Sequence, residues 1–431
     1  MKNSNRIIRV CVAAALAGWS TGSFASAFAL IEQNASGLGN AYSGQAAAAE
    51  NASTIFFNPA GMTRLQGAQA SGVLNVIRPS AVLSPSSASG LPGFAAGAGI
   101  ISNGGDAGAT LNYVPNAYFS YQLTPAWWLG LGISAPFGLR TSYDANFVGR
   151  FQSREAEIRS YDINPSVAYK VNDWLSLGGG ISYQHLTAKL KSAANIAGAF
   201  EGMSDLNASD NKLGYNLGAM FNISANTRVG VSYRSTMSYT LQGTVSVTSA
   251  VVNAAPQVSL NVRAPDTWSA GIAHALNDRW EVLGDMTWTN WSTIKDVPIF
   301  TTSASALGGT GTLLRTLNFQ FKDSYRVGVG VNYKWTDDFM LKLGIAHDNS
   351  PVGDAVRLVA LPDSDRTWLS IGGKYQVSKA SKLDFGYAHI FVKNGTIAQF
   401  GGTAGAAASG NVAGTYKDKV DIVSVQYTYS F

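Results

Sequence analysis

The chain has 431 residues, of which only 13% are charged and 11% aromatic, with 46 glycines and a single cysteine. That charge content is roughly half of what soluble domains carry, and a net charge of +5 is too small an imbalance for a nucleic-acid-binding protein. Beyond the first residues no apolar run reaches the roughly 20 residues of a membrane-spanning helix. Few charges, many aromatics and no spanning helix point to an outer-membrane β-barrel.

Residues 1–25 read as a signal peptide. Lys2, Arg6 and Arg9 form its positive start, Val10 to Trp19 its apolar core, and small residues place cleavage after Ala25, with Ala27 as the alternative. Removal leaves a net charge of +2 and takes away Cys11. No disulfide framework, thiolate nucleophile or Cys-type metal site then remains.

Residues 26–67 do not alternate. They mix small residues, glycine-rich spots around Gly37 and Gly39, and a possible short helix over 46–52. In "STIFFNPAGMTRL" (53–65), Asn58 is pushed to extended geometry by Pro59, which itself has no N–H to donate, and Ala60-Gly61 invites a turn. With so little charge the segment would not stay solvated alone, so burial as a hatch plugging a barrel is expected.

From residue 68 onward apolar and polar residues alternate with period two. In "RVGVGVNYKW" (326–335), Val327, Val329, Val331, Tyr333 and Trp335 share one face, and Arg326, Asn332 and Lys334 the other. In "DIVSVQYTYSF" (421–431) the same split separates Val423, Val425, Tyr427, Tyr429 and Phe431 from Ser424, Gln426, Thr428 and Ser430. Short turns at Thr124-Pro125, Asn172-Asp173, 224–226, Asn277-Asp278, 336–338 and 378–381 alternate with longer segments near 79–112, 139–152, 191–211, 243–257, 298–313, 350–363 and 394–414. Short turns on one side and long loops on the other describe an antiparallel transmembrane barrel of about fourteen strands over 68–431. Aromatics cluster at the turn ends, Tyr121 with Trp127 and Trp128, and Tyr169 with Trp174, where an interfacial girdle belongs. A soluble sandwich would alternate too; the girdles, strand number and length favour the barrel.

"ASGLGNAYSG" (35–44) followed by "NPA" (58–60) resembles the N-terminal plug signature of the outer-membrane long-chain fatty acid and aromatic hydrocarbon transporters. Further matches come in family order: "YVPN" (113–116), "SYRS" (232–235), "APDTWSAGI" (264–272), "FKDSYRVGVG" (321–330), "GIAHDNSPV" (344–352) and "LPDSDRTWLSIG" (361–372). The resemblance implies a fourteen-strand barrel with a hatch built around Gly37, Gly39, Asn58, Pro59 and Ala60. It also implies passive transport of hydrophobic molecules through apolar pockets, with release sideways where the third strand kinks. That strand is "WWLGLGISAPFGLR" (127–140), in which Pro136 cannot donate to a ladder and Gly138 tolerates unusual backbone angles. Pro136, Phe137 and Gly138 therefore stand as the expected lateral opening, against the simpler reading that the strand ends at Ala135.

By the same resemblance Phe28, in "SAFAL", and Leu30 fall near a ligand pocket, with plain hatch packing as the alternative. The fatty acid transporters place basic residues near that pocket. Here Ser192 stands at one matching place with Lys191 beside it, and Arg315 lies near another; both cations are equally readable as loop charges. Long-chain fatty acids are the expected substrate, with monoaromatic hydrocarbons as the alternative within the family. A general diffusion porin and an outer-membrane lipid hydrolase are the alternatives from other classes.

His185, His274, His347 and His389 are scattered without metal-ligand spacing. Asp363 and Asp365, beside Arg366, read as a loop salt bridge rather than a calcium site. No nucleophile elbow or phosphate-binding glycine loop is present. No cofactor is called for, and the expected partners are hydrophobic small molecules and outer-membrane lipid, with the protein acting as a monomer.

Overall fold

The computed structural model describes residues 26–89, 104–108, 110–196, 200–399 and 409–431. The expected signal segment 1–25, and with it the cleavage after Ala25, lies outside the described residues.

One antiparallel sheet closes on itself. Its strands are β1 (Ala68–Ser89), β2 (Asn112–Gln122), β3 (Trp127–Ser134, resuming as Gly138–Ser142), β4 (Glu155–Lys170) and β5 (Leu175–Ile196). β6 (Phe200–Asn222), β7 (Thr227–Arg234 and Met237–Thr248), β8 (Gln257–Ala264 and Thr267–Ala275), β9 (Trp280–Thr289 and Asp296–Thr301) and β10 (Leu313–Asn318 and Ser324–Lys334) follow. β11 (Phe339–Asp348), β12 (Arg366–Ser378), β13 (Ser381–Val392 and Gly395–Gln399) and β14 (Asn411–Ser430) complete fourteen. β14 pairs back onto β1 from Gln69↔Ser430 to Ser89↔Asn411, which abolishes the sheet edges.

The alternation lies inside out relative to a soluble protein. Val327, Val329, Val423, Val425, Leu129 and Leu131 are exposed, whereas Ser182, Gln184, Asn332, Ser424 and Gln426 are buried in the lumen. Lipid is the solvent that makes the exposed apolar band stable. Tyr121, Trp127, Tyr169, Trp174 and Trp335 are exposed at the turn ends, as a girdle requires. Trp128 is a correction to that girdle: it faces inward, and its Nε1 donates to the Leu65 carbonyl at 2.7 Å.

The expected long loops are also corrected: residues 79–89 belong to β1, 139–142 to β3, 298–301 to β9, 395–399 to β13 and 411–414 to β14. Residues 191–196 and 200–211 form the outer ends of β5 and β6, paired through Ile196↔Phe200, and β7 runs on to Thr248. Their Ala, Ser and Gly content hides the alternation, while cross-strand pairs such as Lys191↔Asp205 carry the ladder past the apolar band.

Candidate functional site

Residues 26–67 fill the lumen as a hatch of single helical turns: α1 (Ala35–Leu38), α2 (Gln45–Ala48), α3 (Thr54–Phe57) and a 3₁₀ turn, Pro59–Arg64. The expected helix over 46–52 is thus shorter and begins one residue earlier; Ala49, at φ 47°, stops it. The stretch expected to be irregular is helical on both sides of one break. Asn58 is extended, at φ −158°, and its side chain caps the 3₁₀ turn by accepting the Ala60 N–H at 3.1 Å. Its amide donates to Ala46 O at 2.7 Å and to the barrel's Ala219 O at 3.0 Å, so one buried side chain ties two hatch turns to the wall. Gly37 is required by space, since a Cβ there would meet Asn34 Oδ1 at 2.5 Å and Tyr42 at 2.6 Å.

The wall accommodates this backbone with directly opposed glycine pairs: Gly178↔Gly218, Gly230↔Gly271, Gly330↔Gly344 and Gly372↔Gly386. Asn58–Ala60 lies on the first, Gly44–Ala46 on the second, Asn40 on the third and Gly39 on the fourth. Between them, inward polar side chains hold hatch main-chain groups. Gln426 Oε1 accepts the Ala35 N–H at 3.1 Å, and Asn75 and Asn116 donate to Glu32 O at 2.8 and 3.1 Å. Lys342, fully buried, donates to Ser36 O at 2.8 Å and to both Glu50 oxygens at 2.7 and 2.9 Å, and Lys374 joins Glu50 at 3.2 Å.

Between hatch and wall lies a cavity of about 1180 Å³ of atom-free space, part of it open to solvent. Leu30, Tyr42, Phe56, Phe57, Pro136, Phe137 and Trp368 supply much of its apolar lining. Two arginines interrupt it. Arg326 is held at 3.2 Å by both Asp285 and Asp348 and donates to Ala41 O. Arg234 lies over the Phe56 ring at 4.3 Å and donates to Phe56 O at 3.1 Å, with its carboxylate partner Asp162 more distant at 3.9 Å. The arrangement can solvate an apolar molecule and offers Arg234 as the less tightly paired cation.

Leu30 lines this cavity, whereas Phe28 stands behind it, edge-on to Trp291 at 4.7 Å and to Phe137 at 5.8 Å. Pro136 and Phe137 fall where β3 is interrupted. There the chain pairs with the hatch instead of β2: Leu30 N–H donates to Pro136 O and Gly138 N–H to Phe28 O, both at 2.8 Å. Lys191 does not reach the cavity; it pairs with Glu155 at 3.1 Å and shares the outward phase of Ile181 and Tyr183. Arg315 does not line the cavity either; it donates to Gln152 O at 2.7 Å. Asp363 binds Arg366 and accepts the Ala27 N–H at 2.9 Å, so the expected loop bridge also anchors the start of the hatch.

Sequence reasoning gave no role to Trp291, Trp368, Phe321 or Lys342. Trp291 comes from a break in β9 and Phe321 from a break in β10, both off the alternating phase. The one available signal was that Lys342 and Arg326 are charged on lumen-phase positions.

Glu32 is fully buried in the hatch, and among the described residues no other residue hydrogen-bonds its carboxylate. Burial pushes its pKa up to about 7, offset only partly by its own backbone N–H and by Arg366. A raised acid pKa gives the docked hatch a contribution that is complete below the unfolded value of 4.5 and lost as pH rises through about 7. Hydrogen-exchange protection of residues 28–60, corrected for intrinsic rates, is expected to be roughly tenfold to a hundredfold lower at pH 8 than at pH 5. In Glu32→Gln that difference should vanish; an equal pH dependence in the variant would assign it elsewhere.

Residues 16–431 match a family model described as outer membrane protein transport protein (OMPP1/FadL/TodX). An outer-membrane protein of Neisseria meningitidis serogroup B is 31% identical, covering 92% of each chain. The long-chain fatty acid transport protein of Escherichia coli K12 is 26% identical over 90% of this chain and 93% of its own. Among solved structures, a Pseudomonas aeruginosa FadL homologue superposes with a TM-score of 0.85 at 21% identity, covering 94% of this chain and all of that one. The Ralstonia pickettii toluene transporter TbuX superposes at 0.68 and 17% identity, over 92% and 98%. At these identities the two structures speak to the fold alone.

Proposed function

This chain belongs to the outer membrane protein transport family (OMPP1/FadL/TodX), and on that premise we propose that it carries long-chain fatty acids passively across the outer membrane as a monomer. The observation that carries the reading is the cavity between hatch and wall, apolar over most of its lining but with Arg234 exposed to it. A lipid-like solute gains little from a water-filled pore. An apolar pocket lowers its barrier by removing its chain from water, and Arg234, weakly paired at 3.9 Å, meets the carboxylate with a charge-assisted hydrogen bond. The 26% identical relative named for long-chain fatty acid transport supports the same substrate. Monoaromatic hydrocarbons are the second reading, favoured by the ring-lined end of the cavity at Tyr42, Phe56, Phe57 and Trp368.

Release runs sideways at Pro136–Gly138. Here β3 leaves β2 after Ala117↔Ile133, and displacement of the hatch residues paired with Pro136 and Gly138 opens the wall toward lipid. No energy source is required.

The test is uptake of labelled oleate and of toluene at low concentration in a strain lacking the gene, complemented with the wild-type chain or with Pro136-Phe137-Gly138 replaced by a regular strand sequence. Wild type should restore oleate uptake more than toluene uptake, and the strand variant should restore neither while remaining folded. Restored passage of small hydrophilic solutes, with neither apolar substrate affected, would sink the transport reading. Normal oleate uptake by the strand variant would remove the lateral route.

A further inference from the structure

The outer end of the barrel carries charge unevenly. Around β3 to β6 most outward cations are paired, Arg140 and Lys191 with Glu155 and Arg159 with Glu157, and Lys189 alone on β5 stands outside these pairs. On the seam of β13, β14 and β1 the pattern differs. Arg78, Lys417 and Lys419 are exposed and form no ion pair among the described residues. Lys393, three-quarters exposed, adds a fourth cation whose carboxylate partner, Asp365, stands 3.8 Å away. The outward carboxylate among them, Asp421, is engaged by His389 and by the Tyr387 hydroxyl at 2.8 Å each.

Register fixes how close these cations lie. Arg78 opposes Asp421 and Ser80 opposes Lys419, so Lys419 is the diagonal neighbour of Arg78, with Lys417 the next residue on the same face. Diagonal neighbours in an antiparallel pair are about 7–8 Å apart, and alternate residues on one strand are about 6.6 Å apart. Three flexible cationic side chains therefore share a patch small enough for one or two phosphate groups.

Height fixes what faces them. Arg78 is ten residues along β1 from Ala68, which at about 3.3 Å per residue and a tilt near 40° is roughly 25 Å above the turn end, the height of the apolar band of such barrels. Directly below the patch are exposed Leu74, Val423 and Val425, and exposed Phe391 stands beside it, opposite Lys419. Acyl chains can lie on these while an anionic headgroup meets the cations.

We propose that the β13–β14–β1 seam binds the phosphate groups of an anionic glycolipid of the outer leaflet, held by Arg78, Lys417 and Lys419 with Lys393 at its rim. Arginine and lysine form strong charge-assisted hydrogen bonds to phosphate, and an anionic lipid there satisfies charges that the protein leaves unpaired. This surface lies on the outside of the barrel and serves neither the cavity nor the hatch.

The experiment titrates the delipidated full chain in detergent micelles with bis-phosphorylated lipid A, with its fully dephosphorylated form, and with inorganic phosphate, counting bound molecules by native mass spectrometry. Wild type should retain the bis-phosphorylated lipid and lose the dephosphorylated one, a comparison needing no substitution. The triple variant R78Q/K417Q/K419Q should bind roughly a hundredfold more weakly, about fivefold per cation, whereas K191Q, on the paired face, should bind as wild type. Equal retention of both lipids, an unchanged triple variant, or an equal loss in K191Q would each overturn the site. Inorganic phosphate binding as tightly as the lipid would overturn its assignment to a lipid.

Discussion

A single methyl group added at position 344 is expected to lift the hatch off its seat while the barrel stays closed. In Gly344→Ala the new Cβ would stand 2.1 Å from the carbonyl carbon of Asn40, 2.2 Å from its oxygen and 2.7 Å from Ala41 N. All three are main-chain atoms, so no rotamer change relieves the clash, and β11 is locked between β10 and β12. Overpacking costs about 1–3 kcal/mol where side chains can adjust. Here the upper end or more is expected, shifting the docked-to-undocked ratio by about a hundredfold. Channel conductance in planar bilayers should rise, with heat-modifiable electrophoretic mobility unchanged. Gly284→Ala is the control, because its Cβ would make only ordinary contacts, at 3.4 and 3.8 Å. If Gly344→Ala conducts as wild type, the hatch does not rest on this glycine pair.

Replacing Lys342 by methionine should loosen the same plug by electrostatics rather than shape. The Lys342 and Lys374 ammoniums hold the Glu50 carboxyl at about 2, against a burial that alone would raise it. An acid depressed in this way stabilises docking above the unfolded value near 4.5, and that contribution is lost only as pH falls toward 2. At pH 7 it is complete. Removing one partner of a buried pair typically costs 3–5 kcal/mol; because Lys374 still faces Glu50, about 3 kcal/mol is expected for Lys342→Met. Hydrogen-exchange protection of hatch amides should drop accordingly, and the double variant Glu50→Gln/Lys342→Met should recover part of it, since the remaining Lys374 and Asp384 again balance in charge although Lys374 has lost its Glu50 partner. A double variant as loose as the single one would show that Lys342 acts through Ser36 O instead.

The barrel was legible in the sequence because its signal is local. Each strand of β10 or β14 type states its own orientation through neighbouring residues, and lipid enforces the apolar phase at every turn of the pleat. Strand ends were less legible: beyond the membrane, β5 and β6 are held by polar cross-strand pairs that carry no hydrophobic alternation. The hatch could be placed in the lumen from its low charge and its Asn58-Pro59 break, but not in detail. Its contacts join residues hundreds of positions apart, such as Ala35 with Gln426, and no period in the chain encodes them. Trp128 was misread for a related reason. Two adjacent tryptophans look alike in composition, yet the pleat sends one to lipid and the other to Leu65. Lys191 and Arg315 were chosen by proximity in a resemblance, and the facing of their side chains could not be read from it. Lys191 turns outward to Glu155, and Arg315 binds a carbonyl away from the cavity.

The opposed glycine pairs also bear on the order of assembly. The hatch precedes every strand in the chain, yet the surfaces it rests on come from β5 to β8 and from β10 to β13, and each exists only when two neighbouring strands have paired in correct register. A slip by one residue would turn a glycine outward and present a side chain to the hatch backbone. The segment made first therefore has no resting place until nearly the last strands have joined, and it must be kept soluble and unaggregated through that interval. The wall acts as a register gauge, and only a correctly closed barrel can take in its own beginning.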